Sequence, residues 1–188
     1  MDVMITDDNL SDEQRECMRA VLYFVDGTKS GILVGGALYR HILRHKSAWT
    51  EDIDYDILLD KVDYEELCAR FGIDVASDTG SALYSTYYML DGCYKLNLIQ
   101  RRSGEFASVA DFDINLSMME YLGDTIFYDG SENCFQYDIL RREATLLLSV
   151  HKSRTNTQER IDKYTQLATE AGYKLIVVDI PIKTMAVR

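Results

Sequence analysis

The stretch Gly31-Ile-Leu-Val-Gly-Gly-Ala-Leu-Tyr-Arg40, followed after a short polar interval by Thr50-Glu-Asp-Ile-Asp-Tyr-Asp56, decides how this chain is read. Ile32 to Val34 predicts a short buried strand, Gly35-Gly36 a turn, and Ala37 to Arg44 a helix with one apolar side. A turn at a helix N-terminus exposes backbone N–H groups, and glycine lets a phosphate approach them with no Cβ in the way. An ordinary tight turn uses the same pair, so the glycines alone do not decide. Residues 52 to 59 read as the next strand, in which alternate side chains share a face, so Asp52 and Asp54 point the same way. Mg²⁺ is held by one or two such carboxylates, with substrate phosphates and water completing its shell. Mn²⁺ takes the same hard oxygen ligands. Asp56 extends that face, while Glu51 and Asp60 nearby leave open the plainer reading of a charged strand edge.

A chain of 188 residues, 47% of them apolar, is long enough to bury a core as a single domain. It carries no apolar run near membrane-spanning length and no secretory leader pattern, so the expected location is the cytoplasm, with no membrane partner. Four cysteines (Cys17, Cys68, Cys93, Cys134) lack C-x-x-C spacing, which argues against zinc and disulfides and for buried, reduced thiols. The formal charge of −11 disfavours non-specific attraction to a nucleic-acid phosphate backbone over most of the surface. A nucleic-acid substrate needs a local basic patch.

Ser11-Asp-Glu-Gln14 is a capping-box pattern, and Met18, Val21, Leu22 and Val25 follow at helical spacing, predicting a helix over 11–26. Asp63 to Arg70 reads as a short helix. Tyrosine-rich strands are expected over about 82–90 and 93–100, joined at Asp91-Gly92. A second hairpin runs from Phe112 to Tyr121, through Gly123-Asp124, to Thr125–Tyr128. The remainder, about Tyr137 to Ala171, is expected to be helical, with Leu140, Leu146, Leu147 and Val150 in one helix and Ile161, Tyr164, Leu167 and Ala168 in the next. Gly172 caps it, and an extended tail from Leu175 to Ile180 ends at Pro181. The class is α+β: a mixed sheet flanked by helices, with a core over about 18–130 and a C-terminal helical extension over about 137–188.

Val34-Gly-Gly-Ala-Leu38 with Asp52-Ile-Asp54 resembles the head motif of the polymerase β-like nucleotidyltransferase superfamily. Asp111-Phe-Asp-Ile-Asn-Leu116 and the hairpin after it resemble a segment of the CCA-adding enzymes and bacterial poly(A) polymerases. Similar again is a group of small nucleotidyltransferases common in phages, in Lys95-Leu-Asn-Leu-Ile-Gln100, Phe112-Asp113, Arg160-Ile-Asp-Lys-Tyr164 and Gly172-Tyr173. The likeness covers about residues 31–173. It implies a palm-like fold and Mg²⁺-dependent transfer of a nucleoside monophosphate from a nucleoside triphosphate to an acceptor hydroxyl, with release of pyrophosphate. It also implies Gly35 and Gly36 on the nucleotide phosphates, Asp52 and Asp54 on metal, and the segment with Asp111, Asp113 and Asn115 facing the nucleotide. Two registers compete there, and Asp113 is taken as catalytic. Many members carry an acidic third metal ligand where Asn97 stands, whose amide oxygen coordinates without charge. An arginine of the CCA enzymes has Tyr39 in its place, with Arg40 one position later. The long helical body that grips transfer RNA has no counterpart.

Of the basic residues, Arg40 and Lys46 are singled out for triphosphate binding. His41 and His45 are four apart on a helix, a spacing that binds zinc, yet no third ligand accompanies them, and a surface position or one supporting a neighbouring site residue is expected. Tyr84, Tyr87, Tyr88 and Tyr94 suit sheet packing more than base stacking. The acceptor stays open between an RNA 3′ end, a protein and a small molecule. A nucleotide-binding regulatory module with weak turnover is the alternative outside catalysis, and oligomeric state is not legible.

Overall fold

The computed structural model describes residues 3–78, 82–89, 92–101, 119–128, 141–147 and 157–178. At the centre of its sheet runs β3 (Asp54–Leu59), with Tyr55, Ile57 and Leu59 fully buried on one face and Asp54, Asp56 and Leu58 on the other. On one side β3 pairs antiparallel with β2 (Ile32–Val34) and on the other parallel with β6 (Tyr94–Arg101). The remaining strands are β1 (Val3–Met4), β4 (Ser77–Asp78), β5 (Ala82–Met89), β7 (Met119–Leu122) and β8 (Thr125–Tyr128). Among the described residues the eight strands follow the order β1-β8-β7-β2-β3-β6-β5-β4, a mixed sheet in an α+β fold.

The core-facing side of the sheet packs on helices. Helix α1 (Asp12–Asp26) starts at the expected capping box, Gln14 N–H donating to Ser11 Oγ and Ser11 N–H to Gln14 Oε1. It buries Cys17, Met18, Val21 and Val25, which join Tyr55, Ile57, Leu59, Leu96 and Leu98 in one core. Helix α2 (Gly36–Ile42) is shorter than the expected 37–44, and α3 (Lys61–Phe71) is a turn longer than expected, capped by Asp60 and ended by Gly72 at φ 64°. The second hairpin turns at Gly123 and Asp124, both with positive φ. Its expected first half over 112–118, like Asp91 of the earlier turn, lies outside the described residues.

Two expectations are corrected. The strand expected from residue 52 begins at Asp54, and Asp52 lies in the turn ahead of it. The stretch around Leu146 and Leu147, expected as helix, is β9 (Glu143–Leu147), paired in parallel with β10 (Lys174–Val178). Periodicity cannot separate a short apolar run into strand or helix, and the β-branched Ile176-Val177-Val178 supplies the strand partner. Helix α4 (Thr157–Glu170) is the crossover that parallel pairing demands, so the extension is strand-helix-strand rather than wholly helical. Leu140, Val150 and Pro181 lie outside the described residues.

Of the thiols, Cys17 is buried with its Sγ 3.1 Å from the Tyr55 hydroxyl, and burial pushes its pKa up to about 11. Cys93 is exposed, against expectation, because it sits at the hairpin rather than on a core-facing position. Cys134 lies outside the described residues. Among these residues no helix is long and apolar enough to cross a membrane.

Asp63 ties α3 to the connection between α1 and β2. Its carboxylate accepts from Lys29 N–H (2.9 Å), Ser30 N–H (2.6 Å) and the Ser30 hydroxyl (2.7 Å). Burial works to raise its pKa, but these donors outweigh burial and hold it below the ordinary 3.8. A depressed carboxylate stabilises the fold above its unfolded pKa and loses that contribution as pH falls through the folded value. Asp63→Asn is therefore expected to cost about 1.5–3 kcal/mol near neutral pH, as hydrogen bonds to a charged group do. In urea unfolding, the gap to wild type should close below pH 3.8; a gap independent of pH would refute the ionic role.

Candidate active site

The register of three strands assembles the site. Parallel pairing sets Asp54 beside Lys95 and Asp56 beside Asn97, while antiparallel pairing sets Val34 beside Asp56. Side chains directly opposite in adjacent strands share a face, so the four polar groups lie together on the face turned away from the helical core. Lys95 Nζ is 3.1 Å from Asp54 Oδ2, with both side chains partly exposed. Asn97 Nδ2 donates to Asp56 Oδ1 at 2.9 Å. Beside them Val34, Leu58, Ala82 and Ile99 form a small apolar floor.

Asp54 and Asp56 differ in environment. Burial of the Asp56 carboxylate raises its pKa, and the negative charge of Asp54 adds to that. The Asn97 hydrogen bond and the ammonium groups of Lys95 and Lys163 act in the opposite direction without reversing it. Lys163 comes from α4, so the C-terminal unit contributes positive charge to the acidic face. Glu170 of the same helix reaches Lys46 at 3.1 Å and His45 Nε2 at 3.3 Å, the latter without hydrogen-bond alignment. Lys46, expected at the triphosphate, is thus engaged with Glu170.

The glycine turn follows Val34 directly. Gly35 has φ 76° and ψ −131°, a conformation that an L side chain resists. Its N–H donates to the Met119 carbonyl of β7 at 3.1 Å, and its own carbonyl accepts from Leu38 N–H. Gly35 N–H is thereby committed to the sheet. Gly36 and Ala37, the first residues of a helix only seven long, have no intrahelical carbonyl to reach. Arg40 folds back over this turn: Nη1 donates to the Gly36 carbonyl at 3.1 Å, the guanidinium lies 5.1 Å from the Tyr39 ring centre, and Nε finds no acceptor among the described residues.

Behind the turn the connection to β3 is pinned by aromatic groups. Trp49 Nε1 donates to His41 Nδ1 at 2.9 Å and its ring stacks on Tyr55 at 6.0 Å. His45 Nδ1 meets the Ser47 hydroxyl at 2.7 Å. Both histidines serve local structure, and burial lowers the pKa of each. Tyr87 stacks on Phe71 in the packing role expected of it, whereas Tyr88 is exposed beside Lys95 on the polar face.

The residues expected at the site are therefore divided. Asp54, Asn97, Gly35, Gly36 and Arg40 lie around one corner of the sheet, with Asp52 exposed in the turn just ahead of Asp54. Asp111, Asp113 and Asn115 lie outside the described residues. The sequence pattern singles out neither Lys95 nor a role for Asp56. The signal for both was alternation: Lys95-Leu-Asn97 on one strand and Asp54-Tyr-Asp56 on another, which meet only if the strands are parallel neighbours.

Asp54 offers an exposed carboxylate two residues from Asp56 on the same face, and a single Mg²⁺ requires only one or two carboxylates beside phosphate oxygens and water. Among the described residues no three acidic, histidine or cysteine side chains converge as a metal-holding group.

The two glycines should respond differently to substitution. Gly35→Ala is expected to destabilise by about 1–3 kcal/mol, the cost of a backbone conformation that only glycine accepts. At Gly36 an added Cβ would meet Arg40 Nη1 at 2.8 Å, the far end of a flexible side chain that can swing aside. Gly36→Ala should cost much less. Equal losses in chemical denaturation would contradict the turn geometry.

No protein-family model matches the chain, and no curated protein matches it with significant similarity.

Proposed function

We propose that this chain is a nucleotidyltransferase, moving a nucleoside monophosphate from a nucleoside triphosphate to an acceptor hydroxyl and releasing pyrophosphate. The observation that carries the reading is the placement of Asp54 and Asp56 on the face of β3 turned away from Tyr55, Ile57 and Leu59, beside the strand that ends in the glycine turn. In this reading Asp54 and Asp56 hold Mg²⁺ or Mn²⁺, with Asp52 continuing the acidic line into the turn. Bound there, the ion would neutralise charge on the triphosphate and the departing pyrophosphate.

The chain's own residues do the positioning. Backbone N–H groups of Gly36 and Ala37 and the remaining donors of Arg40 face the phosphates in this scheme. The acceptor hydroxyl oxygen forms a bond to the α-phosphorus and gives up its proton to water, while the bond to the bridging oxygen breaks and its electron pair leaves with pyrophosphate. No side-chain nucleophile is needed, so positioning and charge neutralisation supply the rate. Asp113 keeps the catalytic role that the resemblance implies. Acceptors of this chemistry include an RNA 3′ end, a protein hydroxyl and a small molecule.

A second reading is favoured by one observation. Lys95 already balances Asp54, and Asn97 stands where a third carboxylate would add charge, which suits a module that binds nucleotide without turning it over. Incubation with α-labelled nucleoside triphosphates, Mg²⁺ and a cell lysate separates the two. Transfer of label to RNA, protein or a small molecule, reduced on the order of 10²–10³-fold by Asp54→Asn, is the expected result. Equal labelling by wild type and Asp54→Asn would end the enzymatic reading. Thermal stabilisation by MgATP without any transfer would leave the binding module.

A further inference from the structure

The ion pair between Lys95 and Asp54 is the feature that a metal-binding carboxylate should not carry. An ammonium at 3.1 Å from Asp54 Oδ2 already engages one of the two oxygens that the carboxylate could offer a divalent ion. The pairing is not accidental in geometry, because the parallel register of β3 and β6 places the two residues directly side by side. Nor is it permanent in energy. Both side chains are partly exposed, at 37% for Lys95 and 51% for Asp54, and an exposed ion pair contributes at most about 1 kcal/mol.

We propose that Lys95 is a resident counter-cation of the site: it holds Asp54 while the site is empty, competes with free divalent metal for that carboxylate, and releases it to contact the phosphates when metal arrives together with a triphosphate. The inference rests on the nucleotidyltransferase reading and deepens it. A lysine on a flexible stem can exchange a carboxylate for a phosphate oxygen without moving its strand. The site thereby avoids binding a bare divalent ion tightly, while the metal–triphosphate pair brings anionic oxygens that give the ammonium a new partner. Lys163, whose charge also reaches Asp56 from α4, reinforces the same preference for a ligand that carries negative charge with its metal.

The test measures two affinities in the full chain. Lys95→Met keeps the aliphatic stem and removes the charge, and Lys95→Arg keeps a cation. Binding of Mn²⁺ alone, followed by the paramagnetic signal of the free ion, should tighten up to about fivefold in Lys95→Met, the ratio equivalent to the upper range of an exposed pair. Binding of MgATP should weaken by about tenfold or more in the same variant, as for loss of a charge-assisted hydrogen bond. Lys95→Arg should restore both toward wild type.

Opposite movement of the two affinities is the signature, since simple structural damage weakens both. If wild type binds Mn²⁺ and MgATP but Lys95→Met binds Mn²⁺ no more tightly, the counter-cation role is overturned and the functional reading survives. If wild type binds neither, or if Asp54→Asn binds Mn²⁺ as well as wild type does, the functional reading falls and takes this inference with it.

Discussion

The register of β3 against its neighbours is the constraint on which the site depends. Tyr55, Ile57 and Leu59 are fully buried against the helices, each worth about 1.5–3 kcal/mol for an aliphatic or aromatic side chain taken from water. A slip of one residue would expose all three and turn Asp54 and Asp56 into the core, a loss no local rearrangement could offset. The acidic groups are on the opposite face because the apolar groups between them cannot be elsewhere. Strand β6 repeats the arrangement with Leu96 and Leu98 inward and Lys95 and Asn97 outward.

Once both strands are fixed, the electrostatics follow from neighbours rather than from composition. The chain is strongly acidic overall, yet Asp54 and Asp56 each have a donor beside them: an ammonium for Asp54 and an amide for Asp56. Burial presses Asp56 toward its neutral form and leaves Asp54 as the more exposed of the pair. The two aspartates are therefore not equivalent, although spacing makes them look so.

The turn and the segment beyond it are held by contacts from three directions. Gln14 of α1 donates to the Ala48 carbonyl, Tyr55 of β3 donates to the Thr50 carbonyl, and Glu170 of α4 meets His45 and Lys46. Trp49, at φ 54° and almost wholly buried, sits at the middle of that scaffold. The C-terminal strand-helix-strand unit thus packs near the site through Glu170 and Lys163 rather than trailing from it.

Much of this was written in local pattern. Alternation and capping residues determined α1, β2, the glycine turn and the central strand, because such elements are decided by residues a few positions apart. Asp54 and Arg40 could be picked out for the same reason. Partnership was not determined in that way. Lys95 meets Asp54 across 41 residues of sequence, and Glu143–Leu147 is a strand only because Lys174–Val178 lies beside it. Which strands become neighbours, and whether in parallel, is settled by burying every apolar face at once, a condition on the whole chain. Asp54 was legible in the sequence; that its companion on the strand face is Asp56 rather than Asp52, and that a lysine is held against it, was decided by tertiary structure.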